Sequence, residues 1–414
     1  MPVENESLGS FANSIRLLRT KRFGTFWFAN FLSNIGTWTQ QVAQPWLLLS
    51  LGASPFILGL DALALGAPVW ALTLIGGILA DRGDRRKIIA SLQLIQMLCP
   101  IFLVWLILEH RVEPWMVVML SLIIGMTDAL SMPSFQTIVS SIVSKEQIPT
   151  GLALNSTQFN LTRIIGPAIA GVLMVSIGAI GCFVVSAVSY IPFILVALWV
   201  LPRHIPTPRK ANAFDRNLFA GVLEVIRMPD LRGGLMTALL SAILCGPLIT
   251  FSSVLVKSVF LGNALEFSIA MSSFGIGALI GAAGLLMVKP NRDHRAIASL
   301  SAIGFGASLA LIGLNPLNHL LPILMAVSGL SMIVTNISVN TLLQVHSPEH
   351  LRGQAISLFL LASRGGIGLG AFLTGISVDA LGVKQALILN GIAAVVFQSV
   401  IYVARMNRKS TAMK

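Results

Sequence analysis

The stretch PVWALTLIGGILADRGDRRK (68–87) joins an apolar run directly to a dense block of charge. Six of the seven side chains in DRGDRRK (81–87) carry a formal charge, whereas Asp, Glu, Lys and Arg make up only 11% of the chain. Basic residues beside an apolar run indicate the end of a membrane helix on the cytoplasmic side. Acidic residues contribute little to orientation, so Asp81 and Asp84 require a second explanation.

Composition places the chain in a membrane. Its 414 residues are 55% hydrophobic, with a mean hydropathy of +0.84, whereas soluble domains average about 45–50% apolar and about 25% charged. The net charge of +12 comes from basic residues scattered between apolar runs, so it indicates membrane topology and we expect no nucleic-acid partner. The cysteines occur singly within apolar runs, which predicts free thiols and neither a metal site nor a cofactor.

Polar residues divide the chain into twelve apolar segments, each near the length of about 20 residues that a spanning helix needs. Lipid permits only helices and closed barrels as spanning structures, and the alternating pattern of a barrel is absent. The sequence therefore predicts an all-α membrane protein with twelve transmembrane helices. The predicted spans are 23–50, 55–80, 88–108, 115–143, 151–177, 180–201, 231–258, 265–288, 295–314, 320–346, 351–378 and 383–404.

The distribution of lysine and arginine predicts the orientation of these spans. If the N-terminus is cytoplasmic, 23 of the 28 basic residues lie in cytoplasmic segments and three lie outside. Arg163 and Arg364 fall within spans instead. We therefore expect both termini in the cytoplasm, and a monomeric, multi-pass protein of the cell inner membrane.

A central polar segment separates two groups of six spans. It begins rich in proline and basic residues and continues with an apolar residue at every helical turn, a pattern typical of an amphipathic helix at the membrane interface. Those apolar residues are Phe214, Leu218, Val222 and Val225. The predicted organisation is an N-terminal six-helix bundle (1–201), a cytoplasmic linker with an amphipathic helix (202–230) and a C-terminal six-helix bundle (231–414).

The two halves resemble each other at a nearly constant offset. The segment 144–181 matches 347–383 with offsets of 203–204 residues. Both repeats start on the cytoplasmic side, so they are parallel, which is the arrangement of secondary transporters with a central site between the halves. The matched pairs are Glu146 with Glu349, Gly171 with Gly375 and Gly178 with Gly382.

The charged loop resembles the signature of the major facilitator superfamily, which is G-x-x-x-D-R-x-x-R-R between the second and third helices. The stretches FLSNIGTWTQQVAQPWLLLSLGASP (31–55) and LRGQA (351–355) are similar to the enterobactin-exporter-like carriers of drugs and siderophores. The resemblance covers nearly the whole chain and implies a secondary transporter with two parallel six-helix repeats. In this chain the loop positions are filled by Gly77, Asp81, Arg82, Arg85 and Arg86.

The resemblance implies that this loop acts as a latch between moving halves, whereas its basic residues alone would only anchor the topology. A carboxylate beside arginines favours charge-assisted hydrogen bonds and the N-terminus of a helix. Ser347 followed by Pro348 predicts such a terminus at the start of helix eleven, and we expect Asp81 to dock there when the cytoplasmic side is closed. The second-half copy of the loop has Val288 in place of the aspartate, so we expect only the first loop to be a full latch.

Helix five carries part of a motif that resembles the exporters of this superfamily. Gly166, Pro167 and Gly171 match the motif, while Thr162 and Ala170 stand where the family has glycine. The partial match favours efflux as the direction of transport.

Four ionisable residues lie within predicted spans: Asp61, Asp128, Arg163 and Arg364. A charge at the bilayer centre costs about 2.5–3.5 kcal/mol on insertion scales, so such groups usually face a bundle interior or a wet cavity. The carboxylates are candidates for proton or substrate coupling, and the alternative is a structural pair such as Asp128 with Arg163. For the two arginines we expect interhelical hydrogen bonds, with binding of an anionic substrate as the alternative.

The resemblance places helices one, four, seven and ten around a substrate cavity. Amides and aromatic side chains on these helices suit an amphipathic ligand, and ordinary interhelical hydrogen bonds are the alternative for any single amide. Glycine-rich runs at 275–284 and 365–372 lie inside apolar spans, which indicates close helix packing and not a nucleotide loop. The candidate cavity residues are Asn34, Trp38, Gln41, Gln44, Phe135, Asn336 and Asn340.

The sequence and its resemblance together predict a secondary active exporter that carries a small amphipathic compound, such as a siderophore-like metabolite or a drug, by proton antiport with alternating access. No Walker A pattern is present, so ATP is not expected to supply the energy directly. Uptake of a small metabolite is the alternative with the same fold, and a membrane sensor or scaffold is a further alternative. An enzyme is not expected, because the six histidines occur singly, with no nucleophile or metal partner at suitable spacing.

Overall fold

The computed structural model describes residues 13–202, 214–287, 293–348 and 351–412. Regular structure within these ranges is helical. Eleven helical stretches of the described chain are long and apolar enough to cross a membrane, and each coincides with one predicted span. The protein is therefore an all-helical, multi-pass membrane protein, as predicted.

The helices follow one another with short connections. Those before the central linker are α1 (Lys21–Ser50), α2 (Pro55–Gly66), α3 (Pro68–Arg82), α4 (Arg85–Leu108), α5 (Pro114–Ile142), α6 (Ile148–Ser176) and α7 (Ala179–Trp199). Those that follow are α8 (Phe214–Arg227), α9 (Pro229–Leu244), α10 (Leu248–Val254), α11 (Ala264–Leu286), α12 (His294–Leu314), α13 (Leu321–His346), α14 (Arg352–Leu360), α15 (Gly366–Leu381) and α16 (Val383–Ala412). Two π-helical segments, Leu255–Val259 and Leu361–Gly365, continue α10 and join α14 to α15.

The first predicted span corresponds to α1, which differs from the others in polarity. It is 30 residues long, yet it is not among the eleven apolar stretches of the described chain, because amide and hydroxyl side chains interrupt its apolar residues. At about 1.5 Å per residue a helix of this length exceeds the hydrocarbon thickness of about 30 Å. That α1 is the twelfth span stays a prediction.

Prolines divide two of the predicted spans. Pro68 has no backbone N–H for the helical ladder, and the second span is divided at Ala67 into α2 and α3. The break is local, since Ala67 keeps helical dihedrals (φ −61°, ψ −36°). Pro247 lies in the connection that separates α9 from α10. The predicted spans at 55–80 and 231–258 each coincide with one apolar stretch, and each contains a local break beside a proline.

The start of helix eleven lies partly outside the described residues. Ser347 follows α13 with extended dihedrals (φ −77°, ψ 134°), and the α-helical part, α14, begins at Arg352. Leu351 is already in a 3₁₀ helix, and its N–H donates to the Pro348 carbonyl oxygen at 2.9 Å. Because Glu349 lies outside the described residues, the N-cap role of Ser347 stays a prediction.

Packing divides the chain into two compact units. The first lies within Met1–Leu47 and Pro68–Pro208, and the second within Leu48–Ala67 and Arg209–Lys414. Helix α2 belongs to the second unit because it packs along α15. The domain boundaries expected around the linker at 202–230 stay a prediction.

Each unit has its own apolar core. In the first unit, the buried rings of Phe26 and Phe193 have centroids 5.9 Å apart, and Phe135 stacks on Phe193 at 5.3 Å. In the second unit, Val225 of α8 is buried in a cluster that includes Leu342. The helix predicted in the linker is therefore present as α8, and at least one of its apolar residues packs into the core of the second unit.

Close glycine contacts hold α2 against α15. A Cβ atom on Gly368 would stand 2.9 Å from the Ala62 carbonyl oxygen, and one on Gly59 would stand 2.6 Å from that of Ala371. These distances leave no room for a side chain, so the two backbones approach as in other small-residue interfaces of membrane helices. The glycine-rich run at 365–372 therefore serves close packing, as predicted.

One matched pair of glycines in the two halves has the same unusual backbone conformation. Gly178 (φ 79°) precedes α7, and Gly382 (φ 85°) follows α15. Positive φ is accessible to glycine without steric cost, so both sharp turns favour this residue. The parallel repeat stays a prediction, and the shared turn supports it.

Candidate functional site

The charged loop connects α3 to α4. Asp84 is the N-cap of α4: its Oδ1 accepts a hydrogen bond from the Arg86 N–H at 3.2 Å. The Arg86 guanidinium donates two further bonds to the same carboxylate, at 3.2 and 3.0 Å. Arg85 Nε donates to the Ala80 carbonyl oxygen at 3.0 Å. Local capping therefore explains one of the two aspartates in the block, because a capping carboxylate satisfies N–H groups of the first helical turn.

The other predicted latch residues have a different environment. Gly77 lies on α3, where a Cβ atom would meet nothing within 4 Å, so packing does not require glycine there. Asp81 and Arg82 end α3, and their side chains lie outside the described part of the structure. Their action as a latch stays a prediction, as does the inactivity of the second loop, because Val288 also lies outside the described residues.

The second unit repeats the capping arrangement with a different ion pair. Asp293 is the N-cap of α12 and accepts from the Arg295 N–H at 3.0 Å, as Asp84 does for α4. The Arg295 guanidinium instead pairs with Asp230 at the start of α9, through two bonds of 2.8 Å. The Asp-x-Arg pattern is visible in the sequence, but the partner of each arginine is not.

A polar cluster surrounds Asp128 inside the first unit. Asp128 is half-buried at the middle of α5, and its Oδ1 accepts a hydrogen bond from Gln96 Nε2 of α4 at 2.7 Å. Gln96 Oε1 accepts in turn from Gln93 Nε2 at 3.0 Å. The two glutamines are only 2% and 6% exposed. An ionisable carboxylate thus lies beside two buried amides that sequence reasoning had not singled out.

Two further polar pairs connect other helices of this unit. Gln44 Nε2 of α1 donates to the Ser121 hydroxyl of α5 at 2.6 Å. Ser186 of α7 donates to Gln40 Oε1 of α1 at 2.7 Å. Gln44, a predicted cavity residue, therefore also makes the interhelical hydrogen bond that was its alternative role.

Arg163 of α6 lies between two aromatic rings. Its guanidinium carbon is 5.2 Å from the centroid of Trp38 and 4.9 Å from that of Phe159. A cation within about 6 Å of a ring centroid is attracted by the ring quadrupole, by about 0.5–2 kcal/mol. Gly166, three residues further along α6, packs directly against the Cβ atom of Trp38. The exporter-like glycine therefore permits the close approach of α1 and α6 beside this cation–π cluster.

An amide cluster lies one helical turn before Asn34. Asn30 Nδ2 donates to Gln158 Oε1 at 3.1 Å, and Asn34 Nδ2 donates to Asn30 Oδ1 at 3.1 Å. Residues four apart lie on one helix face, so Asn30, Asn34 and Trp38 form a stripe on α1. The four-residue spacing from Asn34 could have identified Asn30, which the sequence analysis did not single out.

The remaining predicted residues of the first unit are buried or half-buried on their helices. Pro167 and Gly171 are buried on α6, and Gln41 is half-buried on α1. Phe135 packs against the apolar core of this unit. Their roles in transport stay predictions.

Two predicted charged residues of the second unit lie on separate elements. Asp61 is buried on α2 with 8% of its surface exposed. Arg364 is exposed in the π-helical segment Leu361–Gly365, a type of irregularity that is frequent at functional sites. Interhelical hydrogen bonds were expected for Arg364, and no described residue makes one with its side chain.

The two predicted asparagines of the second unit bond within their own helix. Asn336 Nδ2 donates to the Met332 carbonyl oxygen at 3.0 Å. Asn340 Oδ1 accepts from Gln344 Nε2 at 2.9 Å. Both lie on α13, four residues apart and therefore on one face, and their place in a substrate cavity stays a prediction.

Comparison with known proteins identifies the family. A family model described as transmembrane secretion effector matches residues 12–413, nearly the whole chain. The chain belongs to this family of major facilitator transporters. The predicted family is confirmed, and members of this family are transporters and not enzymes.

Three curated relatives of this family member have names that state a transport role. The staphyloferrin A transporter of Staphylococcus aureus is 26% identical over 93% of this chain and 96% of its own length. The multidrug efflux pump Tap of Mycolicibacterium fortuitum is 26% identical over 86% of this chain and 88% of its own. The enterobactin exporter EntS of Shigella flexneri is 26% identical over 88% of this chain and 87% of its own.

The fold of the protein also occurs among solved structures. The nucleoside transporter NupG matches with a TM-score of 0.75 and covers 93% of this chain and 99% of its own. The two sequences are 16% identical, so the likeness shows the shared transporter fold alone.

Proposed function

We propose that the protein exports a small amphipathic compound across the cytoplasmic membrane by proton antiport with alternating access. The compound is a siderophore-like metabolite or a drug, in keeping with the names of the relatives. The observation that carries the proposal is the position of Asp128 at the middle of α5, inside the first unit and hydrogen-bonded to Gln96.

Asp128 has the chemistry that proton coupling requires. An ionised carboxylate at membrane depth is costly unless it faces polar groups or water, and Gln96 supplies a hydrogen-bond donor for its ionised form. Water that reaches the carboxylate from one side and then from the other delivers and removes a proton. The gradient then supplies the energy for export.

The cation–π cluster is the proposed contact surface for the compound in the first unit. Trp38 and Phe159 offer apolar rings beside the charge of Arg163, and Asn30 with Asn34 offers amides on the same face of α1. Rings bind apolar parts of a ligand and amides orient its polar groups. We propose that the same compound also contacts residues of the second unit, namely Asn336, Asn340 and Arg364.

The proposal includes the finer features of the fold that the sequence predicts. These are twelve transmembrane helices in two parallel repeats, cytoplasmic termini, a monomer, and the inner membrane as location. Efflux is favoured over uptake by the exporter-like residues Gly166, Pro167 and Gly171, and Asp81 is proposed to close the cytoplasmic side.

Metabolite profiling followed by vesicle transport tests the proposal. Spent medium of cells with and without the protein identifies the exported compound by mass spectrometry. Everted vesicles should then accumulate that compound only with a proton gradient, and Asp128→Asn should abolish the accumulation. Movement that is insensitive to a protonophore and to Asp128→Asn would contradict antiport. Depletion of a compound from the medium by cells with the protein would instead support the uptake alternative.

A further inference from the structure

The Gln93–Gln96 amide pair beside Asp128 has a role beyond helix packing. We propose that the pair positions Asp128 and reverses its hydrogen bonds when this carboxylate binds a proton. The inference rests on the proposed part of Asp128 in proton coupling, and it names two positioning residues for that step.

The hydrogen bonds of the pair run in one direction. Nε2 of Gln93 donates to Oε1 of Gln96 at 3.0 Å, and Nε2 of Gln96 donates to Oδ1 of Asp128 at 2.7 Å. An ionised carboxylate only accepts hydrogen bonds, so this direction fits the ionised form. Gln93 holds the Gln96 amide in its donor orientation, because a reversed Gln96 alone would direct its NH₂ group at another NH₂ group.

One atom of the pair is left without a partner in this state. Oε1 of Gln93 is buried and accepts no hydrogen bond from the described residues. A buried acceptor without a donor is destabilising, so the first arrangement is not a fully satisfied network among the described residues. In the reversed arrangement the NH₂ group of Gln93 takes this position, so each arrangement leaves one group of Gln93 over and neither is strongly favoured by the pair itself.

Protonation adds an O–H donor to Asp128, while the carboxyl group keeps some acceptor capacity. The new O–H bond forms on the Asp128 oxygen that faces Gln96, as an O–H bond of a hydronium ion breaks and leaves a water molecule. The Gln96 amide then turns over, so that its Oε1 accepts from the Asp128 O–H. Its NH₂ group donates to Oε1 of a Gln93 amide that has turned as well, and the NH₂ group of Gln93 then occupies the position of the unused acceptor. Loss of the proton to water restores the first arrangement.

Tyr190 of α7 interacts electrostatically with Asp128 and with Cys99 of α4. Arg163 of α6 lies against its two aromatic rings. Turning a side-chain amide over requires no movement of the helices. The pair can therefore follow the protonation of Asp128 within a fixed bundle.

Infrared difference spectroscopy of the full chain in lipid nanodiscs tests the pair without a transported compound. Spectra are recorded across pH, and Asp128→Asn identifies the carboxyl band of Asp128. We expect Gln96→Leu to raise the pH midpoint of that band by about one unit or more, because the ionised form loses a charge-assisted hydrogen bond. Gln93→Leu should raise the midpoint by a smaller amount, since it removes only the group that orients Gln96.

Isotope labelling tests the reversal in the native protein. With ¹³C in the side-chain carbonyl of glutamine, an amide band should change with the same midpoint as the carboxyl band, and Asp128→Asn should abolish this change. Gln398→Leu is the matched control, because Gln398 is a buried amide of the second unit that bonds to Thr237 and Ser241. It should leave both midpoints unchanged.

Three results would overturn the inference: a carboxyl band that does not titrate, amide bands that stay constant while it does, or a midpoint insensitive to Gln96→Leu. A different result would contradict the proposed function. If everted vesicles show no proton-coupled export while the carboxyl and amide bands titrate together, the role of the amide pair is supported and the antiport mechanism is contradicted.

Discussion

Arg295 and Asp230 join the starts of α12 and α9 through two hydrogen bonds of 2.8 Å. In the first unit, the corresponding Arg86 pairs with its own helix cap, Asp84. The same Asp-x-Arg pattern therefore occurs at both helix starts with a different partner for each arginine.

The Asp230–Arg295 pair should contribute little to stability. The Asp230 side chain is 53% exposed, and exposed ion pairs typically contribute about 0.2–1 kcal/mol. A double-mutant cycle of Asp230→Asn and Arg295→Gln, measured by thermal unfolding in detergent, should give a coupling below about 1 kcal/mol that falls with added salt. A coupling that salt does not reduce would show that the pair is shielded from water.

The two aspartates of the charged loop should respond differently to substitution. Asp84→Ala removes the N-cap of α4 and should lower the free energy of unfolding by about 1 kcal/mol. Asp81→Asn should leave the melting temperature unchanged but weaken closure of the cytoplasmic side. Transport and the accessibility of an introduced cytoplasmic-side cysteine measure that closure. Unchanged accessibility and transport in Asp81→Asn would refute the latch.

Adjacent glycines of α3 provide a matched pair of variants. A Cβ atom at Gly76 would stand 2.6 Å from the Leu130 carbonyl oxygen, whereas at Gly77 it would meet nothing within 4 Å. Gly76→Ala should therefore destabilise the first unit by about 1–3 kcal/mol through overpacking, and Gly77→Ala should keep the native melting temperature. We expect Gly77→Ala to lower transport, because the family resemblance places this glycine in the latch. Normal transport in that variant would remove Gly77 from the latch.

The cation–π cluster should show coupled substitutions. Arg163→Lys keeps the charge but loses the planar guanidinium that stacks on aromatic rings. Combined with Trp38→Leu, it should give a non-additive change in the free energy of unfolding of about 0.5–2 kcal/mol. Phe56→Leu is the control partner, because Phe56 contacts Phe372 and belongs to the second unit. Additive effects with Trp38→Leu would show that the stacking contributes nothing.

Proton coupling predicts that Asp128→Asn separates binding from transport. The variant keeps the size and one acceptor of the side chain but cannot exchange a proton, so export against a gradient should be lost while the compound still binds. Everted-vesicle transport and equilibrium binding in detergent measure the two steps. Retained uphill export would remove Asp128 from the coupling mechanism, and loss of binding with export would make it a substrate contact.

The spans and the family were accessible from the sequence because they depend on local patterns. The lengths of the apolar runs correctly predicted eleven of the twelve spans, and the spacing of glycines predicted the close packing of α15. The predicted start of helix eleven at Ser347 and Pro348 stays a prediction, because Glu349 lies outside the described residues. Gln93 and Gln96 were missed because an amide in an apolar helix has no preferred partner until neighbouring helices are in place.

The sequence by itself determined the membrane class, the helical state and the transporter family, since lipid permits few structures and the motifs that identify the family are local. Only the tertiary structure decided which polar groups meet. Gln96 donates to Asp128 across 32 residues of sequence, and Asn30 reaches Gln158 across 128 residues. A hydrogen bond requires its two atoms within about 3 Å, and only the packing of whole helices brings such distant residues that close.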